Sequence, residues 1–184
     1  MKAKHRFLEW LAIVLAGVVV IFFAVYRTDP FFHYHAPYTD RYYYPLDNER
    51  AQNDGIARHF EYDALIIGNS LTENFRTSEL NARFGVQAIK TPYKGEGYFG
   101  INNAEERAFS YSEELHTVVR ALDMINLYRF AEGPEKGDYL YLSDNNPFND
   151  IKYWLNRDIL FNRAYVMLTE KGSEDFSPGI TSFD

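Results

Sequence analysis

From Phe7 to Tyr26 the chain reads FLEWLAIVLAGVVVIFFAVY, and between Trp10 and Tyr26 no residue is charged. At 1.5 Å per residue, about 20 such residues cover about 30 Å, the thickness of a bilayer's hydrocarbon core. Glu9 lies within a turn of the start. Trp10 and Tyr26 stand near the two ends, where amphipathic rings favour the headgroup level. The pattern predicts a transmembrane helix over 7–26. Apolar residues on every face argue against a core helix. The run is longer than a secretory signal's apolar stretch, and the bulky FFAVYRTDPFF offers no small-x-small cleavage site, which predicts an uncleaved anchor. Lys2, Lys4 and Arg6 precede the run and Arg27 alone follows closely. That asymmetry predicts a cytoplasmic tail over 1–6 and a body outside the membrane.

Residues 27–60 form a collar rich in Tyr, His and Pro. Pro30, Pro37 and Pro45 forbid a long helix. LDNERAQNDGIARHF predicts a short helix interrupted near Gly55. His33 and His35, two positions apart, would share a face of a strand as a metal pair. No third ligand is placed to complete it, so ordinary packing is favoured. The aromatic residues are expected to pack the collar onto the body, with a sugar-stacking surface as the alternative.

Regular alternation begins at residue 61. YDALIIG has the apolar run of a strand covered on both faces. TENFRTSELNARFG has helical composition and ends in Gly85, a C-cap. VQAIKTPY predicts a second strand, leading into the glycine-rich KGEGYFG. INNAEERAFSYSEEL predicts a second helix and HTVVRALDM a third strand. FNDIKYWLNRDILFNRAYVMLTEKG predicts one long amphipathic helix, with Ile151, Trp154, Leu155, Ile159, Phe161, Tyr165 and Leu168 at helical intervals. The tail SEDFSPGITSFD has no periodicity. Strand–helix–strand–helix–strand indicates an α/β domain with a parallel sheet and right-handed crossovers. Sites in such sheets form at the carboxyl ends of the strands.

Composition narrows the chemistry. The 184 residues contain no cysteine, which excludes disulfides and thiolate metal sites. The net charge is −7, and the residues after Arg27 hold 15 basic against 25 acidic side chains. So acidic a body argues against a nucleic-acid partner, which calls for basic patches. DNNPFND, Asp144 to Asp150, alternates oxygen ligands but lacks the glycine and terminal glutamate of a calcium loop. A cap by Asn149 or Asp150 on the following helix is favoured. KGEGYFG lacks the Gly-Lys-Ser/Thr ending of a phosphate loop. No cofactor and no metal is expected.

Ser70, in GNSLTE, follows the first strand and opens a helix. It has two readings: a nucleophile beside free backbone N–H groups, or an N-cap in a capping box with Glu73. YDALIIGNSLTENF resembles the first block of the SGNH/GDSL hydrolase superfamily, in which an apolar strand leads to Gly-Asp-Ser-Leu. The anchor, the collar and GNSLTENFRTSEL together resemble membrane-anchored SGNH-like proteins of bacterial surfaces. The resemblance implies a three-layer, flavodoxin-like parallel sheet. It makes Ser70 the nucleophile and Gly95, or Gly97, the backbone N–H donor of an oxyanion hole. Asn126 or Asp123 falls near the place of the third block, making Asn126 a candidate further donor. Arg120 and Asp123 are otherwise expected to pair as ions. Asn69 stands where the family has Asp. The family's Asp-x-x-His is not matched, and His116 opens the third strand at the wrong end. The three strands and the missing pair predict that the sequence is a fragment, with the base beyond Asp184. The implied activity is that of an extracytoplasmic serine esterase or acyltransferase, acting on an ester such as an acylated surface polysaccharide. The alternative is a non-catalytic surface binding or assembly module.

Overall fold

The computed structural model describes residues 2–124, 137–144, 146–169 and 179–180. The first helix, α1 (Lys2–Thr28), is long and apolar enough to cross a membrane, and 6% of its most apolar window is buried. A core helix would be mostly buried, so that reading falls away.

After α1 the chain reverses through Asp29 and Phe32, both at positive φ (38° and 58°). Asp29 holds the reversal. Its carboxylate accepts the N–H groups of His33, Tyr34 and His35 at 3.0, 2.7 and 3.1 Å, and the Tyr153 hydroxyl at 3.0 Å. Burial pushes the Asp29 carboxyl up, while the Tyr34 and His35 amides pull it back. Phe31, Phe32 and Tyr44 are fully buried, so these rings pack the collar and offer no stacking surface.

β1 (Tyr43–Tyr44) leads to α2 (Glu49–His59), capped by the Asn48 side chain on the Ala51 N–H. The expected interruption at Gly55 does not occur: α2 runs straight through it. Gly55 serves close approach instead. A Cβ there would lie 2.4 Å from the Phe31 carbonyl oxygen and 2.5 Å from that of Phe32.

The body is a three-stranded parallel sheet of β2 (Ala64–Gly68), β3 (Ala88–Pro92) and β4 (Thr117–Arg120), in the order β3-β2-β4. Ile66 lies opposite Lys90 on one side and Val119 on the other. Between the strands come a 3₁₀ turn (Ser70–Asn74), α3 (Thr77–Phe84) and α4 (Tyr98–Tyr111). The single helix expected over 72–84 is therefore two pieces, broken where Phe75 and Arg76 are extended. Gly85 closes α3 as expected, at φ 69° with its N–H on the Asn81 carbonyl. Leu65, Ile67 and Ile89 pack with Ile56 and Ala57 of α2 and Ile101, Ala104 and Ala108 of α4. Across the sheet, Lys90 is buried and donates its ammonium to the carbonyls of Glu73 (3.0 Å) and Phe75 (2.7 Å). Those two bonds offset the cost of burying a charge. The protein is thus mixed α/β with small parallel sheets. The larger flavodoxin-like sheet that the resemblance implies goes beyond what the described residues form.

The long helix expected from residue 148 is also segmented: α5 (Ile151–Trp154), a π-helical stretch (Asp158–Ala164) and α6 (Tyr165–Thr169). Asn156 makes the break, its side chain accepting the N–H groups of Asp158 and Ile159 at 2.8 and 3.3 Å. The expected side-chain cap at Asp150 is not formed, because its carboxylate turns to His33 (3.1 Å) and the Tyr34 hydroxyl (3.3 Å). In the tail, β5 (Gly179–Ile180) pairs in parallel with β1.

Candidate active site

β2 is the central strand, flanked by β3 and β4. The chain passes from β2 to β3 on one side and then crosses to β4 on the other, which makes the carboxyl ends of β2 and β4 a topological switch point, the usual place for a site in such sheets. Gly68 ends β2 at that switch point. A Cβ there would meet the Thr72 hydroxyl at 2.4 Å and the Ala121 Cβ at 2.8 Å.

Asn69, not Ser70, caps the turn. Its Oδ1 accepts the Leu71 N–H at 3.0 Å, and its main-chain oxygen takes the Thr72 N–H at 3.0 Å. Its Nδ2 donates to Asp123 Oδ2 at 2.6 Å, tying β2 to the chain that follows β4. The capping box expected of Ser70 and Glu73 is therefore not what closes this turn. Ser70 is half-buried, and neither its hydroxyl nor its N–H has a hydrogen-bond partner among the described residues.

The second loop is brought to the same end by a bond from the Tyr93 N–H to the Gly68 carbonyl, 2.8 Å. The turn closes with the Glu96 N–H on the Tyr93 carbonyl at 3.1 Å and Gly95 at φ 69°, a conformation open to glycine. The structure separates the two candidate donors. The Gly97 N–H is given to Glu96 Oε1 at 3.2 Å, whereas the Gly95 N–H has no partner among the described residues. Arg50 of α2 staples the turn, donating to the Lys94 carbonyl from Nε (3.2 Å) and Nη2 (2.6 Å) and to Glu96 Oε2 from Nη1 (3.1 Å). Nothing in the local sequence marks Arg50 for this, because its partners lie 44 and 46 positions away. Tyr98, also not expected here, donates its hydroxyl to the Asp123 carbonyl at 3.1 Å.

Arg120 turns to Glu105 at 3.0 Å while Asp123 takes Asn69, so the two expected to pair have these other partners. Asn126 lies outside the described residues. Glu73 sits at the site with Lys94 (3.8 Å) and Glu49 of α2. One Glu49 oxygen is buried without a donor, and the Glu73 carboxyl is within hydrogen-bonding reach. Burial first, and the like charge of Glu73 second, hold the Glu49 carboxyl above its usual range, which favours a proton on Glu49. Below the ordinary glutamate range both the folded and the unfolded chain carry this proton. As pH rises, the unfolded chain releases it first, so folding stability falls until the raised folded value is passed. Glu49→Gln is expected to remove that loss: melting temperatures equal to wild type in acid and higher above neutrality, read by circular dichroism.

All five histidines of the sequence are described, and none reaches Ser70. His116 stands at the amino end of β4 beside Asp63, 3.7 Å away. His33 is on Asp150, His35 on the carbonyls of Ala36 and Tyr26, and His59 on the carbonyl of His33. His5 lies in the first turns of α1. Asp144 spends its carboxylate within the loop, accepting the Asn146 main-chain N–H (2.9 Å) and the Asn149 side-chain amide (2.7 Å). Among the described residues no cluster of three His, Asp or Glu could hold a metal ion.

Compared with known family models, curated proteins and solved structures, the chain matches none.

Proposed function

We propose that the chain is a membrane-anchored, extracytoplasmic SGNH-like domain whose Ser70 attacks an acyl ester, in hydrolysis or acyl transfer, with acylated surface polysaccharide as the substrate class. The observation that carries this reading is a serine whose hydroxyl and N–H have no partner among the described residues, at the switch point of a parallel sheet, next to a turn whose Gly95 N–H likewise has none among them. The Ser70 oxygen adds to the ester carbonyl carbon. The two amides hold the oxyanion, and the alcohol leaves as the acyl–serine forms. Water or a second alcohol then takes the acyl group. The hydroxyl proton needs an acceptor, and none of the five histidines supplies it, so a base other than these completes the site in this reading.

That same requirement favours a second reading, a non-catalytic module that uses the fold for surface binding or assembly. A fluorophosphonate probe applied to the protein in its native membrane separates the two. An adduct that is lost in Ser70→Ala is the expected result. A folded wild type that takes no adduct selects the module.

A further inference from the structure

We propose that residues 151–169 form a second membrane contact, lying in the plane of the bilayer with Phe161, Tyr165 and Leu168 inserted among the lipid acyl chains beside α1. This rests on the reading of α1 as an uncleaved anchor.

Val18, Ile21, Phe22 and Val25 recur at i, i+3, i+4 and i+7 on α1 and are half-buried or buried, whereas Val19, Val20 and Phe23 are more than half exposed. The elements packed along α1 are α5, the π-helical stretch and α6. The Phe22 and Trp154 rings lie 4.7 Å apart, edge to face, and Val25 is buried with Ile159 and Ala164. Depth follows from helix geometry. At 1.5 Å per residue, Phe22 lies about 6 Å and Val18 about 12 Å along the axis from Tyr26. The uncharged run from Trp10 to Tyr26 spans about 25 Å, so crossing the core uses all of it and sets Tyr26 at the boundary. A segment docked at Phe22 then sits at the depth to which interfacial helices sink, about 5–10 Å.

The opposite side of that segment is apolar as well. Phe161, Tyr165 and Leu168 recur at i, i+4 and i+7 and are 63%, 61% and 41% exposed, while Ile159, Ala164 and Met167 are buried. An element apolar on two faces needs a second apolar neighbour, and the bilayer that α1 enters is already there. The polar groups suit the same plane. Asn162 is bonded to Asp158 (2.8 Å), Asp158 to Arg163 (3.2 Å), and Lys152 and Arg157 are exposed cations that can reach headgroups. Tyr26, Tyr34 and Trp154 cluster where an aromatic belt belongs, with the Trp154 indole N–H on the Tyr34 hydroxyl.

The absence of cysteine makes single-site spin labelling direct. The full chain in nanodiscs would carry one nitroxide in each of Phe161→Cys, Tyr165→Cys and Leu168→Cys, with Val14→Cys marking the anchor and Glu114→Cys the exposed body. Collision with oxygen, which partitions into lipid, is compared with collision with a water-soluble nickel chelate. We expect the three sites to resemble Val14, with an oxygen-to-nickel ratio several-fold above that at Glu114. Three sites resembling Glu114 beside a lipid-like Val14 overturn this inference alone. Shielding of the three sites from both reagents, as under a second protein copy, overturns it too. A water-accessible Val14 overturns the anchor reading itself.

Discussion

Replacing Gly55 with alanine lowers the stability of the body by about 3 kcal/mol, at the top of the usual range for overpacking and a large share of what holds a domain of this size. The new methyl would sit 2.4 Å from the Phe31 oxygen and 2.5 Å from the Phe32 oxygen. Both are backbone atoms of a loop that cannot give way, because its amides are held by the buried Asp29 carboxylate. In the middle of a helix alanine would otherwise be the better residue by about 1 kcal/mol. The sign of the change is therefore set by contact and not by propensity. The expected readout is a fall in melting temperature of about 10 °C or more. Gly97→Ala is the control: it is the N-cap of α4, at φ −89° with nothing within 4 Å of the added carbon, so only the small loss of a favoured cap residue applies and its melting temperature should fall by a few degrees at most.

Asn69→Asp restores the aspartate of the motif that the turn resembles, and it should destabilise the protein. Asn69 is 6% exposed and donates to Asp123 Oδ2 at 2.6 Å. A carboxylate at position 69 loses that donor and faces a like charge in a buried place, a cost of about 3 kcal/mol at neutral pH. Two carboxyls so close share a proton, and one pKa rises. The penalty is then absent in acid, where the proton is kept, and grows as pH rises through the raised value. Melting curves across pH should show the variant close to wild type in acid and well below it above neutrality. Exchanging the pair as Asn69→Asp with Asp123→Asn returns a donor and an acceptor, and should recover most of the loss. No recovery would mean that the Asn69–Asp123 bond is not what holds β2 to the chain after β4.

The candidate site was half legible. Ser70 and Gly95 stand out because a strand, a tight turn and a helix start leave local marks in residue type. What those residues are free to do is not local. Ser70 and Asn69 are adjacent, and either could cap the turn by composition. Asp123, fifty-four positions on, orients Asn69 so that its side chain does the capping and the serine hydroxyl has no partner among the described residues. Gly95 and Gly97 look alike in KGEGYFG, yet the Gly97 amide is spent on Glu96, a residue that Arg50 holds in place.

By itself the sequence determined α1, the three central strands, the acidic body and the glycine that closes α3. Each is a matter of composition or of a period of two to four residues, and such patterns act on the backbone that carries them. Tertiary structure alone decided that α2 passes through Gly55, and that one apolar face of the segment over 151–169 packs on α1 while the other is left exposed. It also decided that no histidine attends Ser70. These outcomes depend on contacts between residues far apart in the chain, such as Asp29 with Tyr153 and Arg50 with Lys94. Their energy comes from burial and geometry that exist only once the chain has folded.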